Sequence, residues 1–158
     1  MSADTQAPGR PVVNATAARL ARLRRGSLAV LVVLVAEYVI GMYVDLYVTI
    51  PSADHAHDGW GDAFSNGPAI LTVHAVIGLL LGVGAIAVLV QAVIARHLGA
   101  VAFSAAGLLA LVFASEAGAS FTSSGKPSQS MAMSVLTGAG LLCYAANLYL
   151  LRPASPAR

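Results

Sequence analysis

The sequence predicts an all-α integral membrane protein, a four-transmembrane-helix bundle with both termini in the cytoplasm. Three observations predict this class. Of the 158 residues, 58% are hydrophobic and only 10% are charged, whereas a soluble domain carries about 25% charged residues. Four apolar runs reach the roughly 20 residues that cross a bilayer. Arginine is concentrated in three of the five segments that flank these runs.

Residues that end helices separate the four runs. The first run stops at Pro51, and the second begins after Pro68. Arg96 separates the second run from the third, and a Ser-rich loop with Gly125 and Pro127 precedes the fourth. The predicted spans are 27–50, 69–95, 98–121 and 129–151.

The segments outside the four-helix domain are a basic N-terminal tail, 1–26, and a short C-terminal tail, 152–158. The first apolar run has about 22 residues, which exceeds the 7–15 of a secretory signal, so we expect a retained helix. Cys143 is the only cysteine, which excludes a disulfide scaffold.

The positions of the basic residues predict the orientation. Eight arginines flank the spans on one side: Arg10, Arg19, Arg22, Arg24, Arg25, Arg96, Arg152 and Arg158. Because cytoplasmic loops are rich in Lys and Arg, this side is predicted to be cytoplasmic. Eight arginines against one lysine, beside many Ala, Val and Gly, are typical of a GC-rich bacterial genome, so we expect a bacterial inner membrane. The same asymmetry accounts for the net charge of +2 without nucleic-acid binding. In the outer loop, His55 and His57 lie beside Asp54 and Asp58, as a solvated stretch or a surface metal site.

Four ionisable residues fall inside the spans, where each is costly. At 1.5 Å per residue from the outer helix ends, Asp45, His74 and Glu116 share a layer about 8 Å deep. Glu37 lies nearer the middle of its span, and this polar cluster can serve proton transfer or hold the bundle together. Met131 and Met133 fall in the layer of His74.

Helical periodicity predicts which faces point inward. The face through His74 carries Gly78, Leu81, Ala85 and Ala92; that of the fourth span carries Met133, Thr137, Gly140, Tyr144 and Asn147. Gly78 and Gly82 form a GxxxG pair that lets another helix, or a flat ligand, approach closely.

The second and fourth spans are parallel and are expected to be neighbours. His74 and either Met131 or Met133 would then lie at the same depth. This arrangement suits two axial ligands of one haem iron, for which His and Met are a known combination. The alternative is structural: a neutral His74 hydrogen-bonded to Glu116 or Asp45, and two ordinary apolar methionines.

The sequence Thr-Val-His-Ala-Val-Ile-Gly at 72–78 resembles the ligand-bearing helix in one four-helix half of the haem A synthase family, and more loosely of other small b-type membrane cytochromes. The resemblance implies haem b ligands on the second and fourth helices near the outer face, so His74 corresponds to one of them. The fourth span has Ser-Met-Ala-Met-Ser at 130–134 without histidine, so Met131 or Met133 would replace the second.

The leading functional hypothesis is haem binding with an electron-transfer or haem-related accessory role. A second is a structural or assembly subunit in the lipid bilayer, meeting another membrane protein or a second copy through Gly78 and Gly82. A third is a proton-coupled transporter, since Glu37 resembles the membrane glutamate of small multidrug resistance proteins. Nucleophilic catalysis has no support in the sequence, because Ser115 and Ser120 lack an adjacent base.

Overall fold

The computed structural model of the chain describes residues 10–48, 60–61, 64 and 67–152. These residues are helical apart from short turns, as predicted. Four of their helices are long and apolar enough to cross a membrane. They are α1 (Arg10–Tyr47), α2 (Ala69–Ile94), α3 (Leu98–Ser124) and α4 (Pro127–Leu150). The predicted surface metal site with His55 and His57 lies outside the described residues.

Helix α1 is much longer than the predicted first span. It begins at Arg10 rather than near Ser27, and its 38 residues correspond to about 57 Å, against roughly 30 Å of hydrocarbon in a bilayer. The preceding segment is rich in Ala, Arg and Leu, which are strong helix formers. Hydropathy located the apolar part of α1, but it carried no signal for the start of the helix.

The turns between the later helices are specified by local chemistry. Arg96 adopts a left-handed φ of 54°, and His97 then caps α3 by accepting a 3.1 Å hydrogen bond from the Ala100 amide. At the other end of α3, Gly125 has φ 62° and donates its amide to the Phe121 carbonyl at 2.8 Å. Glycine adopts this left-handed C-cap without steric cost, and Pro127 starts α4 in the position where proline is favoured.

The four helices form a ring in which each packs against the previous and the next one, and α1 closes on α4. Among the described residues, α2 makes no close backbone approach to α4, nor α1 to α3, so these pairs lie on the diagonals. The expectation that the second and fourth spans are neighbours is therefore wrong. We call the end where α1 begins and α4 ends the terminal end, and the opposite one the distal end.

A layer of leucines fills the middle of the bundle. It consists of Leu34 from α1, Leu81 from α2 and Leu111 from α3, all buried in one core cluster. On α4 the same level is occupied by Gly140, where a Cβ would stand 3.5 Å from the Leu111 side chain and 3.6 Å from that of Leu34. We call these four residues the leucine layer. It separates the two halves of the bundle interior.

The predicted inward faces of two helices are confirmed. Leu81, Ala85 and Ala92 of α2 are buried, as are Gly140, Tyr144 and Asn147 of α4. Small residues on buried faces let helix backbones approach closely.

Candidate functional site

A cavity of about 130 Å³ lies between the four helices on the distal side of the leucine layer. We call it the distal cavity. Leu34, Leu81 and Leu111 line its inner end, and Trp60 and Phe121 contribute to its wall. Most of its lining is apolar, but it also contains titratable side chains, which makes it the candidate functional site of the described chain. They are Glu37, Tyr38, Asp45 and His74.

The central feature of the distal cavity is a pair formed by His74 of α2 and Glu37 of α1. The Nδ1 atom of His74 lies 2.8 Å from Oε1 of Glu37. The Glu37 side chain is 7% exposed and that of His74 21%. The contact is an ion pair by distance, but it lies off the direction of a good hydrogen bond. Within the described part of the chain, both Glu37 oxygens lack a hydrogen-bond partner.

This pairing corrects the predicted partners of His74, which were Glu116 and Asp45. The depth count assumed that the distal ends of all helices lie at one level. The contacts show instead that His74, five residues into α2, is level with Glu37 and Gly41 of α1. Glu37 is one helical turn closer to the leucine layer than Gly41, and its side chain reaches Nδ1 of His74 across that distance.

Two glycines give the His74–Glu37 pair its space. A Cβ at Gly41 would stand 3.1 Å from Cε1 of His74, and a Cβ at Gly78 would stand 3.5 Å from Oε1 of Glu37. Few real Cβ contacts are as short as 3.1 Å, so the imidazole occupies the space that a larger residue at 41 would fill. Helices α1 and α2 therefore approach each other through glycine where the pair lies.

Asp45 lies nearer the distal end of α1 and has a different partner. Its Oδ1 atom accepts a 2.7 Å hydrogen bond from the hydroxyl of Ser130, a buried residue near the start of α4. The structure thus assigns Asp45 to a link between α1 and α4 beside the distal cavity.

The two candidate methionines point in different directions. Met133 lines the distal cavity, and its Sδ atom is 3.1 Å from where a Cβ of Gly118 would stand. Met131 is 69% exposed and is not among the cavity-lining residues. Met131 and Met133 are two positions apart, which is a rotation of about 200° around the helix. Only one of them can therefore face inward.

Helix register places Met133 in the same layer as His74. Asp45 contacts Ser130, and one turn from that contact toward the leucine layer lie Gly41 on α1 and Met133 on α4. Gly41 contacts His74 directly. The predicted common depth of His74 and Met133 agrees with this register, although the two residues face each other across a diagonal.

Glu116 does not join the predicted polar cluster, because it is exposed on the outer surface of α3. Two hydroxyls that do line the cavity are bonded within their own helices. Ser115 donates to the Leu111 carbonyl at 2.9 Å and Thr137 to the Met133 carbonyl at 2.8 Å. Such back-bonding occupies their protons, so Glu37 and His74 are the titratable groups best placed to receive a ligand.

The Gly78 and Gly82 pair divides between two environments. Gly78 faces α1 next to Glu37, whereas a Cβ at Gly82 would meet nothing within 4 Å. Contact of this surface with a partner stays a prediction.

Sequence reasoning placed Gly41 on the same face of its helix as Glu37 and Asp45. It did not predict that Gly41 contacts His74, that Gly118 contacts Met133 or that Trp60 lines the cavity. Gly41 and Gly118 lie on the two helices that carry neither His74 nor Met133. One sequence feature could have indicated these contacts. It is a glycine in an otherwise apolar span, at the same depth as an ionisable residue on another span.

Within the described ranges, no three His, Cys, Asp or Glu side chains come together as a metal site. In comparisons with known proteins, no family model, no curated protein and no solved structure matches the chain. The candidate site is therefore defined by its own geometry.

Proposed function

We propose that the distal cavity binds haem b, with His74 as one axial ligand, in an electron-transfer or haem-related accessory role. The observation that carries this proposal is the 2.8 Å contact between Nδ1 of His74 and Glu37. A metal-ligating histidine commonly donates its other ring N–H to a carboxylate, which fixes the tautomer and raises ligand basicity. Glu37 lies at that position, and a rotation of the two side chains would align the hydrogen bond. Glu37 would then leave Nε2 of His74 for the iron.

Met133 is the proposed second ligand. It lines the same cavity from the diagonally opposite helix, in the layer of His74. Methionine and histidine together are an established axial pair that raises the reduction potential of haem iron. Met131 is exposed and serves as an internal comparison.

The donor set favours haem, and the cavity volume sets a requirement for binding it. The distal cavity measures about 130 Å³, whereas pockets that enclose organic ligands have roughly 300–1,000 Å³. Gly41 and Gly118 carry no side chains, but His74 and Met133 already pack closely against them. Haem loading therefore requires the helices to move apart at this level.

When bound, the haem would supply one-electron redox chemistry. The protein's part is to orient His74 beside Glu37 and to close the inner end of the site with the leucine layer. We place the protein in a bacterial inner membrane with cytoplasmic termini. This is supported by exposed arginines at the terminal end, Arg19, Arg22, Arg24, Arg25, Arg96 and Arg152.

The test is an absorption spectrum of detergent-purified protein from cells supplied with a haem precursor, oxidised and then reduced with dithionite. We expect a Soret band and a reduced α-band of the b type. His74→Ala should abolish both, and Met133→Leu should shift the spectrum and lower the potential. Met131→Leu is the matched control and should leave both unchanged. A spectrum without a Soret band would overturn the proposal.

A second candidate is proton-coupled transport through the His74–Glu37 pair. It is favoured by the absence of hydrogen-bond partners for both buried Glu37 oxygens, since a carboxylate in apolar surroundings is a common proton carrier in transporters. Proton uptake into liposomes, followed with a trapped pH-sensitive dye under an imposed potential, tests it. Glu37→Gln should abolish uptake and Glu116→Gln, on the exposed face, should not; equal uptake by wild type and Glu37→Gln would contradict it.

A further inference from the structure

A second group of polar side chains lies in the bundle interior on the terminal side of the leucine layer. Ser27, Ser104, Tyr144 and Asn147 have no exposed surface, and the Oε1 atom of Gln91 is also buried. We call these five residues the terminal polar layer. They belong to all four helices and are separate from the distal cavity.

The helix register brings Ser27 opposite Asn147. Leu34 of α1 meets the position of Gly140 on α4. Seven residues from each, toward the terminal end, lie Ser27 and Asn147. Because α1 and α4 are antiparallel and seven residues make almost two full turns, both residues return to the faces that met at Leu34 and Gly140.

Gln91 and Ser104 lie at the level of Ser27 and Asn147. Gln91 is close to α1 beside Ser27, since a Cβ at Gly26 would stand 3.6 Å from its Oε1 atom. On the α3 side, the amide nitrogen of Asn147 donates a 2.8 Å hydrogen bond to the Ser104 hydroxyl. Tyr144 lies one turn closer to the leucine layer than Asn147, with its ring against Gly107 of α3.

Four polar atoms of this layer remain without a hydrogen-bond partner in the described chain: Ser27 Oγ, Gln91 Oε1, Tyr144 OH and Asn147 Oδ1. The two hydroxyls can donate, and the two amide oxygens only accept. A buried polar atom without a partner costs free energy, and buried waters typically make two to four hydrogen bonds to such atoms. Two donors and two acceptors together can complete the hydrogen bonds of buried water.

We propose that the terminal polar layer binds water, with Ser27 and Tyr144 donating to it and Gln91 and Asn147 accepting from it. The leucine layer lies between this site and the distal cavity. The proposal is independent of haem binding.

Whether Tyr144→Phe lowers or raises the unfolding temperature tests the proposed bond between the Tyr144 hydroxyl and water. Tyr144→Phe removes only the hydroxyl. If that hydroxyl bonds a water, the variant leaves the water short of a partner and the unfolding temperature of the detergent-purified protein falls. If it has no partner, its loss removes a desolvation cost and the unfolding temperature stays or rises, which would overturn the proposal. Tyr149→Phe, on the exposed face of the same helix, is the matched control and should leave the unfolding temperature unchanged.

A second measurement uses the unaltered chain in lipid bilayers. Water-edited solid-state NMR follows the transfer of magnetisation from water protons to labelled side chains. We expect early transfer to the Asn147 side chain and slower transfer to the methyl groups of Leu34 and Leu111. Transfer to Asn147 as slow as to these leucines would overturn the proposal, whatever the stability of the variants.

Discussion

The imidazole of His74 lies directly against the backbone of Gly41: a Cβ at residue 41 would stand 3.1 Å from Cε1. The position of the candidate ligand on α2 is thus set by the absence of a side chain on α1. Any substitution that adds volume at residue 41 should therefore displace His74 and lower the stability of the bundle.

Gly41→Ala should be less stable than Gly82→Ala by about 1 kcal/mol or more, because overpacking of a tight contact typically costs about 1–3 kcal/mol. Nothing lies within 4 Å of a Cβ at Gly82, so that variant should gain the roughly 0.5–1 kcal/mol by which alanine exceeds glycine in a helix. Chemical unfolding in mixed micelles compares them. Equal gains in the two variants would show that His74 can move away freely.

Gly107→Ala should destabilise the contact of α3 with α4. A Cβ there would stand 2.9 Å from Cε2 of Tyr144, whose ring is fully buried and has little room to shift. We expect a loss of about 1–3 kcal/mol in the free energy of unfolding. Gly138→Ala is the control, since a Cβ at that position meets nothing within 4 Å. A neutral Gly107→Ala would contradict the close packing of Tyr144.

Ser104→Ala removes the acceptor of the buried 2.8 Å hydrogen bond from Asn147. Hydrogen bonds between helices in a membrane contribute about 0.6 kcal/mol on average and up to about 1.7 kcal/mol, and we expect a loss within this range. Ser123 is bonded only within its own exposed helix end, so Ser123→Ala should change stability by less than about 0.5 kcal/mol. Unfolding curves that do not distinguish the two would argue against an interhelical bond at Ser104.

The link between Asp45 and Ser130 should be visible in a double-mutant cycle. Asp45→Ala and Ser130→Ala each leave the other group without its 2.7 Å partner. The double variant should therefore lose less stability than the sum of the single losses, by about 0.5 kcal/mol or more. Strict additivity would mean that the two side chains are not coupled.

Much of the bundle could be predicted from the sequence, because hydropathy and helix-ending residues act locally. The spans of α2, α3 and α4 were located within a few residues, and the inward stripe of α4 followed from its concentration of polar residues. The start of α1 could not be predicted from the length of the apolar span. The arginine-rich residues before the span are no longer apolar, but they still favour a helix, so the helix begins earlier than the span.

The site was predictable in its components and less so in its pairing. The location of His74 and the inward face of Met133 follow from periodicity on one helix. Its partner Glu37 depends on the relative heights of two helices, which their packing decides. Glu116 illustrates the same limit: its depth could be counted, but its outward direction depends on which face of α3 meets α2 and α4.

The leucine layer has an electrical consequence. The polar groups of the described bundle interior lie on either side of it, with the His74–Glu37 pair in the distal cavity and the terminal polar layer beyond. Leu34, Leu81 and Leu111 offer a charge no hydrogen-bond partner. Moving one elementary charge through a transmembrane voltage changes its energy by about 2.3 kcal/mol per 100 mV, and a charge inside the bundle would be least stabilised by its surroundings at these three side chains.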